Sequence, residues 1–165
     1  MGDARLTLAA EPAGQFDYLL IDAFSSDVVP VHLLTVEALR MYLERVSERG
    51  ILAIHISNRN VDLAPVIAAN IDAIGGLVAV HMEPAKTSAD ADPTRAVLIA
   101  RHAEVLAAAY TRAAATHLES GGVAPWTDDF SNVLAAVVRK QRDRFRAAGD
   151  PGLHSDKIDD PRRAR

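Results

Sequence analysis

Cysteine is absent from the 165 residues, which excludes disulfides, thiolate metal sites and a cysteine nucleophile. Aromatic residues make up only 5%, with a single tryptophan, so a core must be built from Leu, Ile, Val and Ala. No apolar run approaches the roughly 20 residues that cross a bilayer as a helix, and the first residues lack the basic-then-apolar pattern of a secretion signal. A soluble, cytoplasmic chain with no membrane span is therefore expected. A G-x-G-x-x-G fingerprint is missing as well, although a nucleotide-binding α/β domain carries one on its first strand–helix turn.

What is present is long enough for one domain with a substantial core, at 49% hydrophobic and 24% charged. The formal net charge of −4 is unevenly spread. From Arg139 onward nine Lys/Arg face five Asp/Glu, which leaves −8 for residues 1–138. An acidic body disfavours nucleic acid and suits a cationic ligand. The basic stripe Arg139–Arg146 reads as a solvated helix face.

Four short apolar runs, "DYLLIDAF" (17–24), "GILAIHIS" (50–57), "GLVAVHME" (76–83) and "RAVLIARH" (95–102), have the length and punctuation of strands buried on both faces. Between the first two, Leu34, Ala38, Met41 and Leu43 sit near helical spacing, and Gly50 is placed to end that helix. A second amphipathic helix follows and closes at Gly75-Gly76. The connection "PAKTSADADPT" is too short and turn-rich for a crossover helix, so the last two strands are expected to pair antiparallel. Residues 104–119 form a helix by composition, "SGGVAP" breaks it, and 130–149 read as a final helix. The expected layout is a partial α/β domain over 1–103, a helical segment over 104–149, and a Pro-, Gly- and charge-rich disordered tail over 150–165.

Chemistry-bearing residues gather at strand ends. Asp22 closes the first strand and Asp27 follows five residues later, where open α/β sheets form their ligand clefts. A positioned carboxylate can take a proton from an attacking amine, and paired acids orient a cation. Asp22 and Asp27 also suit loop and cap roles. His32 and His55 lack a helical H-x-x-x-H pair or thiolates, so no metal site is expected. His32 is placed to cap or line the cleft, and His55 ends the second strand beside Asn58 and Arg59. In "WTDD", Trp126 is either a cleft shield or a hydrophobic anchor. Asp128 or Asp129 is a candidate amine anchor, or else Thr127 or Asp128 caps the final helix and leaves Asp129 as the anchor.

Taken in order, "GDAR" (2–5), "DYLLIDAFSSD" (17–27), "PVHLLT" (30–35), "GILAIHISNR" (50–59) and "WTDDFSN" (126–132) resemble the spermidine synthase-like aminopropyltransferases. The nearest likeness is to the bacterial branch often fused to transporter-like membrane segments. The resemblance covers about residues 2–138 and only the C-terminal half of the family's Rossmann-like, methyltransferase-type domain. It implies parallel strands with a terminal antiparallel pair, followed by helices. It also implies transfer of an aminopropyl group from decarboxylated S-adenosylmethionine, a co-substrate and not a resident cofactor, to a polyamine such as putrescine. By the resemblance, Asp3 matches the acid that holds the adenine amino group. Asp22 matches the acid that assists deprotonation, and Asp27 is the candidate second acid for cationic parts of the substrates. The missing cofactor-binding half would have to come from elsewhere, through the exposed edge of the first strand or through homo-oligomerisation. Two other readings stay open: a non-catalytic binding or assembly module, and methyl transfer on the same scaffold.

Overall fold

In the computed structural model the described residues are 3–22, 29–58, 60–82, 94–112 and 115–148, with the side chains of 108–112, 115 and 145–148 left aside. Asp27, Arg59, most of the 84–94 connection and the tail from Asp150 lie outside them. The elements run α1 (Ala4–Ala9), β1 (Phe16–Ile21), a 3-10 turn (Val31–Leu33), α2 (Val36–Arg45), β2 (Val46–His55), α3 (Ala64–Ile74), β3 (Val78–Met82), β4 (Ala96–Ala100), α4 (Ala103–Arg112), β5 (Ala115–His117) and α5 (Val133–Ala148).

The five strands form one sheet in the order β1-β2-β4-β3-β5. β1 and β2 are parallel, in register from Tyr18 opposite Ile51 to Ile21 opposite Ile54. β4 runs antiparallel to both β2 and β3, so it lies between them and leaves β3 pointing the same way as β1 and β2. The expected antiparallel pair is therefore β3–β4. The layout is a mixed α/β sheet with helices on its faces.

Alternation along the strands explains the layers. Leu19, Ile21, Leu52, Ile54, Val97 and Ile99 pack in one cluster with Leu39 and Tyr42 of α2 and Val66 and Ile67 of α3. On the opposite face Val80 and Ala100 pack against Leu106 of α4. β2 is buried through Leu52, Ala53 and Ile54 in succession, as a strand covered on both faces should be. β1 is not: Tyr18 and Leu20 remain 57% and 51% exposed, while Leu19 and Ile21 are buried. This corrects the expectation of two covered faces: α4, the helix on that face, packs over β2, β3 and β4, and β1 lies at the end of the described sheet beyond them.

Two further expectations are revised, and a third element was not foreseen. α2 stops at Arg45 and the backbone turns extended at Val46, so Gly50 lies inside β2 and does not end a helix. The buried, β-branched Val46 pairs with Phe16, and the register then jumps to Tyr18 opposite Ile51. The guanidinium of Arg101 seals this junction by donating to the carbonyls of Leu43, Val46 (3.3 Å) and Ser47 (3.1 Å). Second, the helix expected over 104–119 ends at Arg112, and residues 115–117 add to β3 as β5. Strand pairing at the β3 edge overrides the helical preference of the alanines there. Third, "DARLTLA" forms α1, with the Asp3 carboxylate accepting from Arg5 N as the N-cap. Gly75 does end α3 as read, at φ 77°, with its N–H on the Ile71 carbonyl.

Gly50 has a steric reason. A Cβ there would lie 2.6 Å from Val46 Cγ1, 2.9 Å from Phe16 O and 3.0 Å from Asp17 O. Two of these are backbone atoms of β1 and cannot yield without disturbing the pairing. Gly50→Ala is expected to destabilise the fold by about 1–3 kcal/mol, read as a lower midpoint in urea denaturation.

Candidate functional site

Two polar groups stand out. At the carboxyl ends of the parallel strands, Asp22 directly follows β1 and His55 is the last residue of β2. The register that pairs Ile21 with Ile54 brings these next residues side by side, and His55 Nδ1 lies 2.7 Å from Asp22 Oδ1. The carboxylate can only accept, so the ring donates Nδ1–H to it. The Asp22 side chain is 55% exposed and that of His55 24%, so the acid faces solvent from a packed base.

The second group surrounds a hollow of about 690 Å³. One wall is Val29, Pro30, Val31 and His32; the other is the loop Thr127–Ser131; Arg5, Thr35 and Asp128 close it. Its architecture starts from α2. Thr35 caps that helix by accepting from Ala38 N, and Val36 N donates to the Trp126 carbonyl at 2.8 Å. Trp126 is fully buried in the main core. Its own N–H goes to Asn70 Oδ1 at 2.7 Å, while Asn70 Nδ2 donates to the Leu34 carbonyl. A buried amide of α3 thus stitches the loop to the start of α2.

Asp128 follows from that placement. It accepts from Thr35 Oγ1 at 2.7 Å, and its N–H donates to Glu37 Oε2 at 3.0 Å. Arg5 of α1 meets the same carboxylate with both nitrogens, Nη1 to Oδ1 at 2.8 Å and Nη2 to Oδ2 at 2.7 Å. This is the planar two-point pairing for which a guanidinium is shaped. Bonding to Arg5 holds the Asp128 carboxyl below the usual carboxylate range, against a smaller desolvation in the other direction. The same bond raises the Arg5 guanidinium further. Burial pushes the Tyr42 phenol behind this group up to about 12.

The residues singled out from sequence fall as follows. Asp22 and His55 are brought together. His32 and Asp129 both line the hollow, and His32 Nε2 lies 3.3 Å from Asp3 Oδ2. Asp129 is exposed and makes no ion pair among the described residues. Asp27 falls outside them. The capping of the last helix by "WTDD" is not observed: Asn132 accepts from Ala135 N and caps α5, because the loop is committed to α2. Asn58 is a turn residue whose Oδ1 accepts from Asn60 N and Val61 N. Reading the sequence missed Arg5, Thr35 and Asn70. Only Thr35, a threonine directly before a helical run with Glu37 behind it, carried a visible signal. Among the described residues no helix is long and apolar enough to cross a membrane.

No family model and no curated protein matches the sequence. Among solved structures, the chain is similar to a probable spermidine synthase from Corynebacterium glutamicum, with a TM-score of 0.55 at 16% identity. The fold is spermidine synthase-like. The match covers 80% of this chain but 54% of the synthase, so the chain spans about half that protein's length. A fainter likeness is to MnmC2 from Aquifex aeolicus, at 17% identity and a TM-score of 0.40, covering 83% of this chain and 34% of that one. Within the spermidine synthase-like fold, the Asp22–His55 pair occupies the strand ends where open α/β sheets bind ligands.

The lowered Asp128 carboxyl has a pH signature. A folded-state value below the ordinary ~3.9 contributes stability that is present above that value and lost as pH falls through the folded one. Because the group is partly exposed, Asp128→Asn is expected to cost about 1 kcal/mol at neutral pH. Paired denaturant titrations should show this gap persisting down to about pH 4 and closing below it.

Proposed function

We propose that this chain carries the amine-activating part of a spermidine synthase-like aminopropyltransferase. An amine nitrogen attacks the aminopropyl carbon of decarboxylated S-adenosylmethionine; the new C–N bond forms as the C–S bond breaks, and the thioether leaves. The proton shed by the amine passes to Asp22. Asp27 and Asp129 hold cationic ends of the substrates, and His32 and His55 line their path. The observation that carries this reading is the Asp22–His55 pair, 2.7 Å apart at the carboxyl ends of two parallel strands.

The physical case is that a polyamine is protonated near neutral pH and must lose a proton before it can attack carbon. A solvent-facing carboxylate with a fixed hydrogen-bond partner suits that task. Asp22 has that partner in His55, whose ring holds one carboxylate oxygen while the acid stays half exposed to solvent. Of the donor's contacts the described residues offer one, Asp3. Its Oδ1 accepts from Arg5 N and its partly exposed carboxylate has capacity to accept from an adenine amino group. The remaining donor contacts are proposed to come from a further segment, docked along the edge of β1 that no strand among the described residues covers.

The test is aminopropyl transfer from decarboxylated S-adenosylmethionine to putrescine, by this chain alone and together with a segment that supplies the remaining donor contacts, followed by mass spectrometry of the product. Asp22→Asn is expected to lower turnover by about 10²–10⁴-fold with the fold retained. Undiminished turnover in that variant would remove Asp22 from the role of proton acceptor. Methyl transfer from S-adenosylmethionine to the amine would replace the aminopropyl reading with a methyltransferase one.

A further inference from the structure

The two walls of the hollow are separated by roughly a hundred residues of sequence, and one side chain touches both. Arg5 Nη1 donates to the His32 carbonyl at 3.0 Å and to Asp128 Oδ1 at 2.8 Å, while Nη2 takes Asp128 Oδ2. His32 belongs to the 29–32 wall and Asp128 to the 127–131 wall. Arg5 is itself anchored at short range: Asp3 caps its helix, and Arg45 holds the other end of α1 through the carbonyls of Leu8 and Ala9, both at 3.1 Å. α1 has no fully buried residue; Leu8 packs against the main core, and these polar ties complete its placement.

We propose that Arg5 is a positioning residue that sets the width of the hollow, holding Asp129 at a fixed separation from His32 for a cationic ligand. The guanidinium is rigid and planar, and its three hydrogen bonds point in directions fixed by that plane. A wall-to-wall distance defined this way varies less than one set by two flexible side chains. The fork also occupies Asp128, which leaves Asp129 as the adjacent carboxylate open to a ligand. The part of the proposal that concerns amines rests on the function proposed above; the bridging of the walls does not.

The alternative role for Arg5 is that of a mere counter-charge, and the two roles differ in sign. If Arg5 only neutralises Asp128, Arg5→Ala makes the hollow more negative and tightens a dication, while Arg5→Lys changes little. If Arg5 positions the walls, both variants weaken binding, because lysine keeps the charge but lacks the fork. The experiment is putrescine titration of the full chain by calorimetry, with Trp126 fluorescence as a second signal from the same loop. Hydrogen exchange of residues 29–33 and 127–131 is measured without ligand. About ten-fold weaker binding is expected in both variants, with faster exchange in both walls and the buried emission of Trp126 retained. Wild-type exchange in Arg5→Lys, or tighter binding in Arg5→Ala, overturns the positioning role. Faster exchange in the variants with no putrescine binding by the wild-type chain upholds the bridge and overturns the amine reading. Asp129→Asn, which leaves the bridge intact, is expected to lose binding with wild-type exchange.

Discussion

The carboxylate of Asp128 is the junction on which the site side of the molecule depends. It gathers a hydroxyl from the start of α2 and both ends of a guanidinium from α1, while its own backbone is held by Glu37. Three segments far apart in the chain meet at one ionised group. The arrangement is favourable because the N-terminus of α2 carries positive potential that complements an acid placed there. Fully buried Trp126, two residues away, supplies the apolar anchor that keeps the acid on station. Charge alone would contribute little at this degree of exposure; the packing of Trp126 and the buried Asn70 amide make the geometry reproducible.

The rest of the sheet provides the complementary constraint. Parallel pairing of β1 with β2 aligns their carboxyl ends, so residues that look unrelated in sequence, Asp22 and His55, become neighbours by register alone. β4, inserted antiparallel between β2 and β3, shields β2 from becoming an edge and lets its central residues be buried on both faces. The Asp22–His55 pair therefore sits at the ends of two paired strands, where positional accuracy is easier to maintain than on a free loop.

Much of this was legible before any coordinates. Apolar runs bounded by glycine and proline located β1 through β4, and the short turn-rich connection foretold the antiparallel β3–β4 pair. Where the reading failed, a long-range partner had overruled a local preference. The alanines near 115 favour a helix, yet the free edge of β3 takes them as a strand. Gly50 looks like a helix stop, yet the close approach of β1 carbonyls is what requires it. The site was half visible: acids at strand ends follow a general rule of α/β sheets, whereas the service of "WTDD" to α2 instead of α5 depends on Asn70 and Arg5, whose contacts no spacing encodes.

The terminal position of β1 bears on how the protein behaves in a tube. Its outer backbone edge is flanked by the half-exposed Tyr18 and Leu20, and one face of that strand has no helix over it among the described residues. Such a margin is a template for any strand with matching amides, and a second molecule pairing there would gain contacts. Apparent melting temperature would then climb with protein concentration, as mass action demands of any fold that gains contacts on association.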